Sequence, residues 1–201
     1  MRPYLAIAFL LVGCAVVPQQ NVSFMQARAS TIEVDDLSGS HGTGVMVNEY
    51  CAVTAAHVAD RDVVLGTVQS GHQYGMIRRA YDDAQDVAAI CATVPVEAPP
   101  VTFGPTPATY DPVFTVGFPL MFHDFLTEGR WQDNNSISAD CAPGNSGGGV
   151  FNASGQDVGF VDAIAAYDHA KYVFPHLCVV APSPVITAFL DKNGIHYHGR
   201  S

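Results

Sequence analysis

Apolar residues in this chain come in short runs broken by turn formers, which predicts many short strands and few helices. After the turn-rich opening Gly39-Ser40-His41-Gly42-Thr43-Gly44, a strand is expected at 45–47. Asn48-Glu49-Tyr50 reads as a turn, and 51–54 closes the hairpin. Further strands are expected at 63–69 and 74–79, on either side of Gly71, and the apolar run 87–93 reads as a buried strand. The Pro-rich stretch 95–107 lies near the middle and has linker character. Beyond it, strands are predicted at 112–119, 150–151, 158–164 and 177–180. Only 183–194 has a helical pattern. Ser183 is the expected N-cap, Pro184 opens the first turn, Val185, Ile186, Phe189 and Leu190 share a face, and Gly194 ends it. Strands throughout with one terminal helix indicate an all-β protein, either a sandwich or a pair of barrels.

Composition narrows the class. The 201 residues suit one domain or two half-domains sharing an interface, and 48% apolar residues supply a core. The formal net charge is −10 with no Lys/Arg cluster, so the basic footprint of nucleic-acid binding is missing. That acidity reads as solubility. The expected units are a leader, 1–13; a tether, 14–38; a first half, 39–100; and a second half, 101–201.

The leader has a charge at Arg2 and an apolar run over 4–13 that is too short to span a bilayer, the pattern of an export signal. Leu11-Val12-Gly13-Cys14 resembles a bacterial lipobox. The resemblance implies cleavage before Cys14, a diacylglycerol on its sulfur and, with Ala15 following, residence on the periplasmic side of an outer membrane. The alternative is a soluble secreted protein cut after Ala27-Arg28-Ala29. Export leaves Cys51, Cys91, Cys141 and Cys178 for two disulfides, with three pairings open.

Three segments carry candidate chemistry: Thr54-Ala55-Ala56-His57 at a strand end, Asp86-Val87-Ala88-Ala89-Ile90 opening an apolar strand, and Gly144-Asn145-Ser146-Gly147-Gly148. A serine hydroxyl needs a nearby base to attack at neutral pH, and imidazole titrates in that range. The other ring nitrogen needs an acceptor, and Asp86 is preferred over Asp82 and Asp83 because it directly opens the run. In this order the segments resemble the chymotrypsin-like serine proteases, in their bacterial trypsin-like branch. The likeness extends over about residues 39–190.

The resemblance implies two six-stranded antiparallel β-barrels with a short C-terminal helix. It makes Ser146 the nucleophile, His57 the general base and Asp86 its orienting acid. The backbone N–H groups of Gly144 and Ser146 become the oxyanion hole. It also implies the disulfides Cys51–Cys91 and Cys141–Cys178, and substrate contacts at Ala163, Ile164 and Ala165. Asp140 lies near the position where trypsin-like relatives select Arg or Lys, with the cysteine register off by one and Pro143 extra. Asn145 stands where animal members carry the acid that pairs with a new N-terminus, so activation by cleavage is not expected. No cofactor is implied. The remaining histidines, His41, His72, His123, His169, His176, His196 and His198, have no convincing metal spacing. The implied partner is a protein or peptide substrate, with membrane contact only through the lipid, and the state of assembly is left open.

Two other readings remain. Gly144 to Gly148 also fits the elbow of an α/β-hydrolase, with Asp162 or Asp168 and His169 or His176 completing a triad. A catalytically silent protease fold used for binding is the non-enzyme reading.

Overall fold

The computed structural model describes residues 19–36, 38–119, 122, 124–167 and 171–200. The expected leader, Cys14, His123, Asp168 and His169 lie outside them. The elements are α1 (Gln19–Ala29), β1 (Thr31–Asp36), β2 (His41–Met46), β3 (Cys51–Ala55), β4 (Val63–Thr67), β5 (Gln73–Asp82) and β6 (Val87–Ala92), followed by β7 (Pro112–Gly117), β8 (Phe125–Gln132), β9 (Ser136–Ile137), β10 (Gly149–Asn152), β11 (Asp157–Tyr167), β12 (Tyr172–Pro182) and α2 (Ser183–Lys192).

The strands close into two six-stranded barrels, ordered β1-β2-β3-β6-β5-β4 and β10-β11-β12-β9-β8-β7, with every pairing antiparallel. The all-β expectation is met, and the α/β-hydrolase reading is not: it requires a parallel sheet, and no strand pair of either barrel is parallel. Closure removes the exposed sheet edges that would otherwise invite association.

Residues 19–36 correct the expected tether. α1 lies against the second barrel, with Phe24 edge-on to Phe114 at 4.5 Å, and β1 pairs with both β2 and β4 to close the first barrel. Ile32 and Val34 are fully buried between the more polar Glu33 and Asp35, a short period-two strand. The first barrel therefore begins at Thr31. The C-terminal helix starts one residue early: Pro182 is its N-cap, and the Ser183 hydroxyl instead donates to Gly104 O at 2.7 Å.

One apolar cluster runs from the first barrel through Phe114, Val116, Phe151 and Phe160 of the second to Ile186, Phe189 and Leu190 of α2. A second cluster, around Trp131, Ile137, Val150 and Val158, fills the second barrel. At about 1.5–3 kcal/mol for each large apolar side chain buried, the shared cluster is what fixes the barrels together. β3 is buried at all five positions because one face looks into its barrel and the other is covered from outside. Only small or β-branched residues fit there.

Asp157 is fully buried at the start of β11. Its Oδ1 accepts the Gly159 N–H at 2.8 Å, and Oδ2 has no partner among the described residues. Burial pushes this carboxyl well above the usual range, only partly opposed by the Gly159 bond. The folded state therefore keeps a proton that the unfolded chain releases above about pH 4, and stability falls as pH rises from there. Asp157→Asn removes that slope. Thermal melts at pH 5 and pH 8 should show the variant gaining on the wild type as pH rises, and parallel curves would refute a neutral Asp157.

Candidate active site

The β3–β6 ladder brings the first two candidates together. Ala55 pairs with Val87, and the chain beyond it keeps the register, with Ala56 N–H donating to Asp86 O at 3.0 Å. His57 is then held at two points: its backbone N–H donates to Asp86 Oδ1 at 2.9 Å, and its ring Nδ1 lies 2.6 Å from Asp86 Oδ2. Asp86 adopts a left-handed conformation, φ 48°, which Asp tolerates better than most residues. The neighbouring acids are occupied elsewhere: Asp82 lies 3.7 Å from the Lys192 ammonium, and Asp83 accepts from the Tyr81 hydroxyl.

Ser146 sits in the turn leading to β10, and Thr43 of β2 joins that turn to the first barrel. The Thr43 N–H donates to Ser146 O at 2.8 Å and its hydroxyl to Gly144 O at 2.7 Å, while Phe118 N–H donates to the same hydroxyl at 3.0 Å. Gly147 packs against Thr43, Thr54 and Ala55, two residues before His57. Its N–H donates to Val161 O at 2.7 Å, which anchors the turn on β11. The Ser146 hydroxyl donates to the main-chain O of the next residue, Asp162, at 3.2 Å. Gly144 has φ +100° and lies against the Phe118 carbonyl, where a side chain would collide. Among the described residues, the N–H groups of Gly144 and Ser146 have no partner. Asn145 is buried and its amide is likewise unpartnered.

Asp162, named in the sequence only as an acid for the α/β-hydrolase reading, joins the His57–Asp86 pair. One of its carboxyl oxygens, one of those of Asp86 and one His57 ring nitrogen lie within 4.8 Å of one another. Burial raises Asp162, as do the hydrogen bond and charge of Asp86, while His57 opposes them; it is pushed up to about 7. Burial also disfavours charge on Asp86, but the bonds from the His57 ring, Asp162 and the His57 N–H hold it well below the usual carboxylate range. The Asp86 bond raises His57 against its own burial, and the charges of Asp86 and Asp162 add to the rise.

A second histidine was missed. His41 places Nδ1 2.7 Å from Asp35 Oδ1 and Nε2 2.6 Å from Phe118 O, with its ring edge against Gly144. Both nitrogens face acceptors, so the doubly protonated form satisfies both. Burial opposes that form, but Asp35, Phe118 and Glu33 outweigh it and raise His41. Both His–carboxylate clusters, Glu33–Asp35–His41 and His57–Asp86–Asp162, have ligand-type atoms. In each, Nδ1 is already bonded to a carboxylate, as in an ion pair, not aimed with it at a shared ion.

The specificity candidates are more dispersed. Ala163, Ile164 and Ala165 lie on β11, where the pairing with β12 is irregular; Ala163 is exposed, and Ile164 packs on the second core. Asp140 is exposed and already hydrogen-bonded to the His176 ring, a partner that competes with any cationic substrate group. The two disulfides are Cys51–Cys91, between paired positions of β3 and β6, and Cys141–Cys178.

Two antiparallel six-stranded barrels, with a His–Asp pair and a Gly-rich serine turn at their junction, make this a chymotrypsin-like fold. The model of the trypsin-like peptidase domain matches residues 42–160, more than half of the sequence. The chain belongs to the trypsin-like peptidase family. Solved structures support the fold. A Ser-to-Ala mutant of Rv3671c from M. tuberculosis H37Rv, in an inactive form, is 22% identical, covering 87% of this chain and 91% of that one, with a TM-score of 0.73. A serine endoprotease from Yersinia pestis is 20% identical over 89% of this chain and 67% of its own, with a TM-score of 0.74. The HtrA-type protease AlgW, solved with a tripeptide, is 20% identical with a TM-score of 0.77, and this chain spans 63% of it. No curated protein matches the sequence.

Proposed function

We propose that the protein is a serine endopeptidase that hydrolyses peptide bonds through an acyl-enzyme. The observation that carries the reading is the two-point grip of Asp86 on His57 beside a turn whose serine hydroxyl is bonded to the next residue of that cluster. The Asp86 bond at Nδ1 fixes the tautomer that leaves Nε2 as the base. On attack, the Ser146 hydroxyl turns from Asp162 O toward Nε2, a tightening expected when substrate binds. His57 takes the serine proton as the Ser146 oxygen bonds to the scissile carbonyl carbon, and the carbonyl oxygen gains charge. The N–H groups of Gly144 and Ser146 stabilise that charge, each worth roughly 3 kcal/mol. His57 then gives its proton to the departing amine, and water, activated by the same imidazole, releases the acyl group. The strand 163–165 supplies backbone for substrate to pair with.

Export belongs to the same proposal, with Cys14 as a lipid anchor on the bacterial envelope. Two disulfides fit an oxidising compartment.

A fluorophosphonate probe tests the reading, because it reacts only with a serine activated by a base. The intact protein should be labelled and should cleave internally quenched peptides. Ser146→Ala and His57→Ala should lose both properties, and His176→Ala should keep them. An intact, folded protein that takes no label would leave the binding-module reading in its place.

A further inference from the structure

The cluster at the barrel junction holds one more acid than a serine, a histidine and an orienting carboxylate require. We propose that Asp162 is a positioning residue for the His57–Asp86 pair: its protonated carboxyl donates to Asp86, while its main-chain carbonyl holds the resting Ser146 hydroxyl. The kinetic half of this proposal rests on the serine-peptidase reading above; the titration half does not.

Three observations lead to it. First, one carboxyl oxygen each of Asp162 and Asp86 and one ring nitrogen of His57 lie within 4.8 Å of one another, and Asp162 is half-buried. Two carboxylates that close cannot both ionise cheaply, so one retains a proton and can donate it to the other. Second, Asp86 is the one that keeps the charge. It already receives the His57 N–H at 2.9 Å and faces ring Nδ1 at 2.6 Å, whereas Asp162 has no such donors among the described residues. Third, Asp162 lies on β11 immediately before the proposed substrate strand, and its own carbonyl accepts from Ser146 Oγ at 3.2 Å. Asp162 thus touches both ends of the relay, Asp86 through its side chain and Ser146 through its backbone.

A pH consequence follows. The ionisable groups facing the Asp162 carboxyl are Asp86, ahead of β6, and His57, beyond β3. When Asp162 loses its proton, Asp86 loses a donor and a second negative charge appears beside the imidazole, which then binds its proton more tightly. The two groups titrate as a coupled pair. Each ionisation of Asp162 makes neutral His57, the form that serves as base, harder to reach.

The test compares Asp162→Asn, which keeps a donor for Asp86 but cannot ionise, with Asp162→Ala, which removes both. In each, NMR titration of His57 in the folded protein and the pH profile of kcat/KM are measured. Both variants should lower the His57 midpoint, by about one pH unit, and move the acid limb of the profile down with it. The Asn variant should keep kcat within about threefold, while the Ala variant should lose about tenfold or more because Asp86 is no longer held. An Ala variant with unchanged kcat and an unchanged His57 midpoint would overturn the proposal; a merely structural residue would move the melting temperature and leave the midpoint alone. If Ser146 takes no probe and no peptide is cleaved, the peptidase reading fails, and the NMR midpoint still decides whether Asp162 acts on His57.

Discussion

Asp86→Asn should lower kcat for peptide hydrolysis about 10^4-fold while leaving the fold intact. The backbone argument comes first. Asp86 has φ 48°, and Asn is among the few residues that adopt this conformation readily, so the loop need not move. The two bonds to His57 decide the chemistry. Oδ1 accepts the His57 backbone N–H, and Oδ2 meets ring Nδ1. An amide has one acceptor oxygen, and the backbone N–H requires it. The NH2 group is then turned toward Nδ1, which must become an acceptor, so the ring proton moves to Nε2. A His57 carrying its proton on Nε2 cannot take one from Ser146. The loss of the carboxylate also removes the hydrogen bond at Nδ1 that is the largest cause of the raised His57 pKa, and with it the charge that adds to the rise. KM should change little, because Asp86 is not placed to touch substrate. Asp82→Asn, in the same turn region but near Lys192, should leave kcat unchanged. An Asp86→Asn enzyme retaining more than about a tenth of wild-type kcat would mean that His57 is oriented by something else, and Asp162 would be the first suspect.

The nearness of Asp86, rather than Asp82 or Asp83, to His57 was legible because a single feature decides it: the acid that directly opens the apolar run is the one that the β3–β6 ladder carries to His57. Strands whose buried positions are apolar were legible for the same reason. β8 was not. Its residues Phe125 to Gln132 bury Thr127 and Trp131 with Gly129 between them on the same side, so a polar residue and a glycine interrupt the apolar alternation in the middle of the strand. β9 is two residues long and has no period to read. β1 was hidden by its place in a presumed tether, although Ile32 and Val34 carry the alternation. Asp162 left a trace, as an acid interrupting an apolar strand, but its partner Asp86 is remote in sequence and only closure of the barrels brings them together. His41 and Thr43 left less. Their roles are hydrogen bonds to backbone groups of Phe118, Gly144 and Ser146, and backbone groups have no residue type for a sequence to display.

Gly147→Ala should be the most destabilising single-methyl change at the site, and Gly71→Ala separates its two causes. Both glycines have left-handed backbone, φ +83° and φ +84°. A Cβ at Gly71 meets nothing within 4 Å. Its substitution should therefore cost only the conformational penalty, about 1–2 kcal/mol. A Cβ at Gly147 would fall inside contact distance of the Thr43 carbonyl and the Thr54 hydroxyl, and 3.1 Å from Ala55 N. Overpacking adds about 1–3 kcal/mol to the same backbone penalty. At roughly 2–4 °C per kcal/mol for a chain of this size, the melting temperature should fall by about 10 °C in Gly147→Ala and by only a few degrees in Gly71→Ala. The location of the clash makes it a functional test as well. Gly147 belongs to the second barrel, and Thr43, Thr54 and Ala55 belong to the first, in strands bound into a closed ladder. Relief can come only by moving the Ser146 turn away from the strand that leads to His57. Probe labelling should then collapse in Gly147→Ala at temperatures where the protein is still folded, and remain unchanged in Gly71→Ala. Equal melting temperatures and equal labelling in the two variants would mean that Gly147 serves its backbone angle alone, and that the barrels do not meet as tightly at this turn as the contacts require.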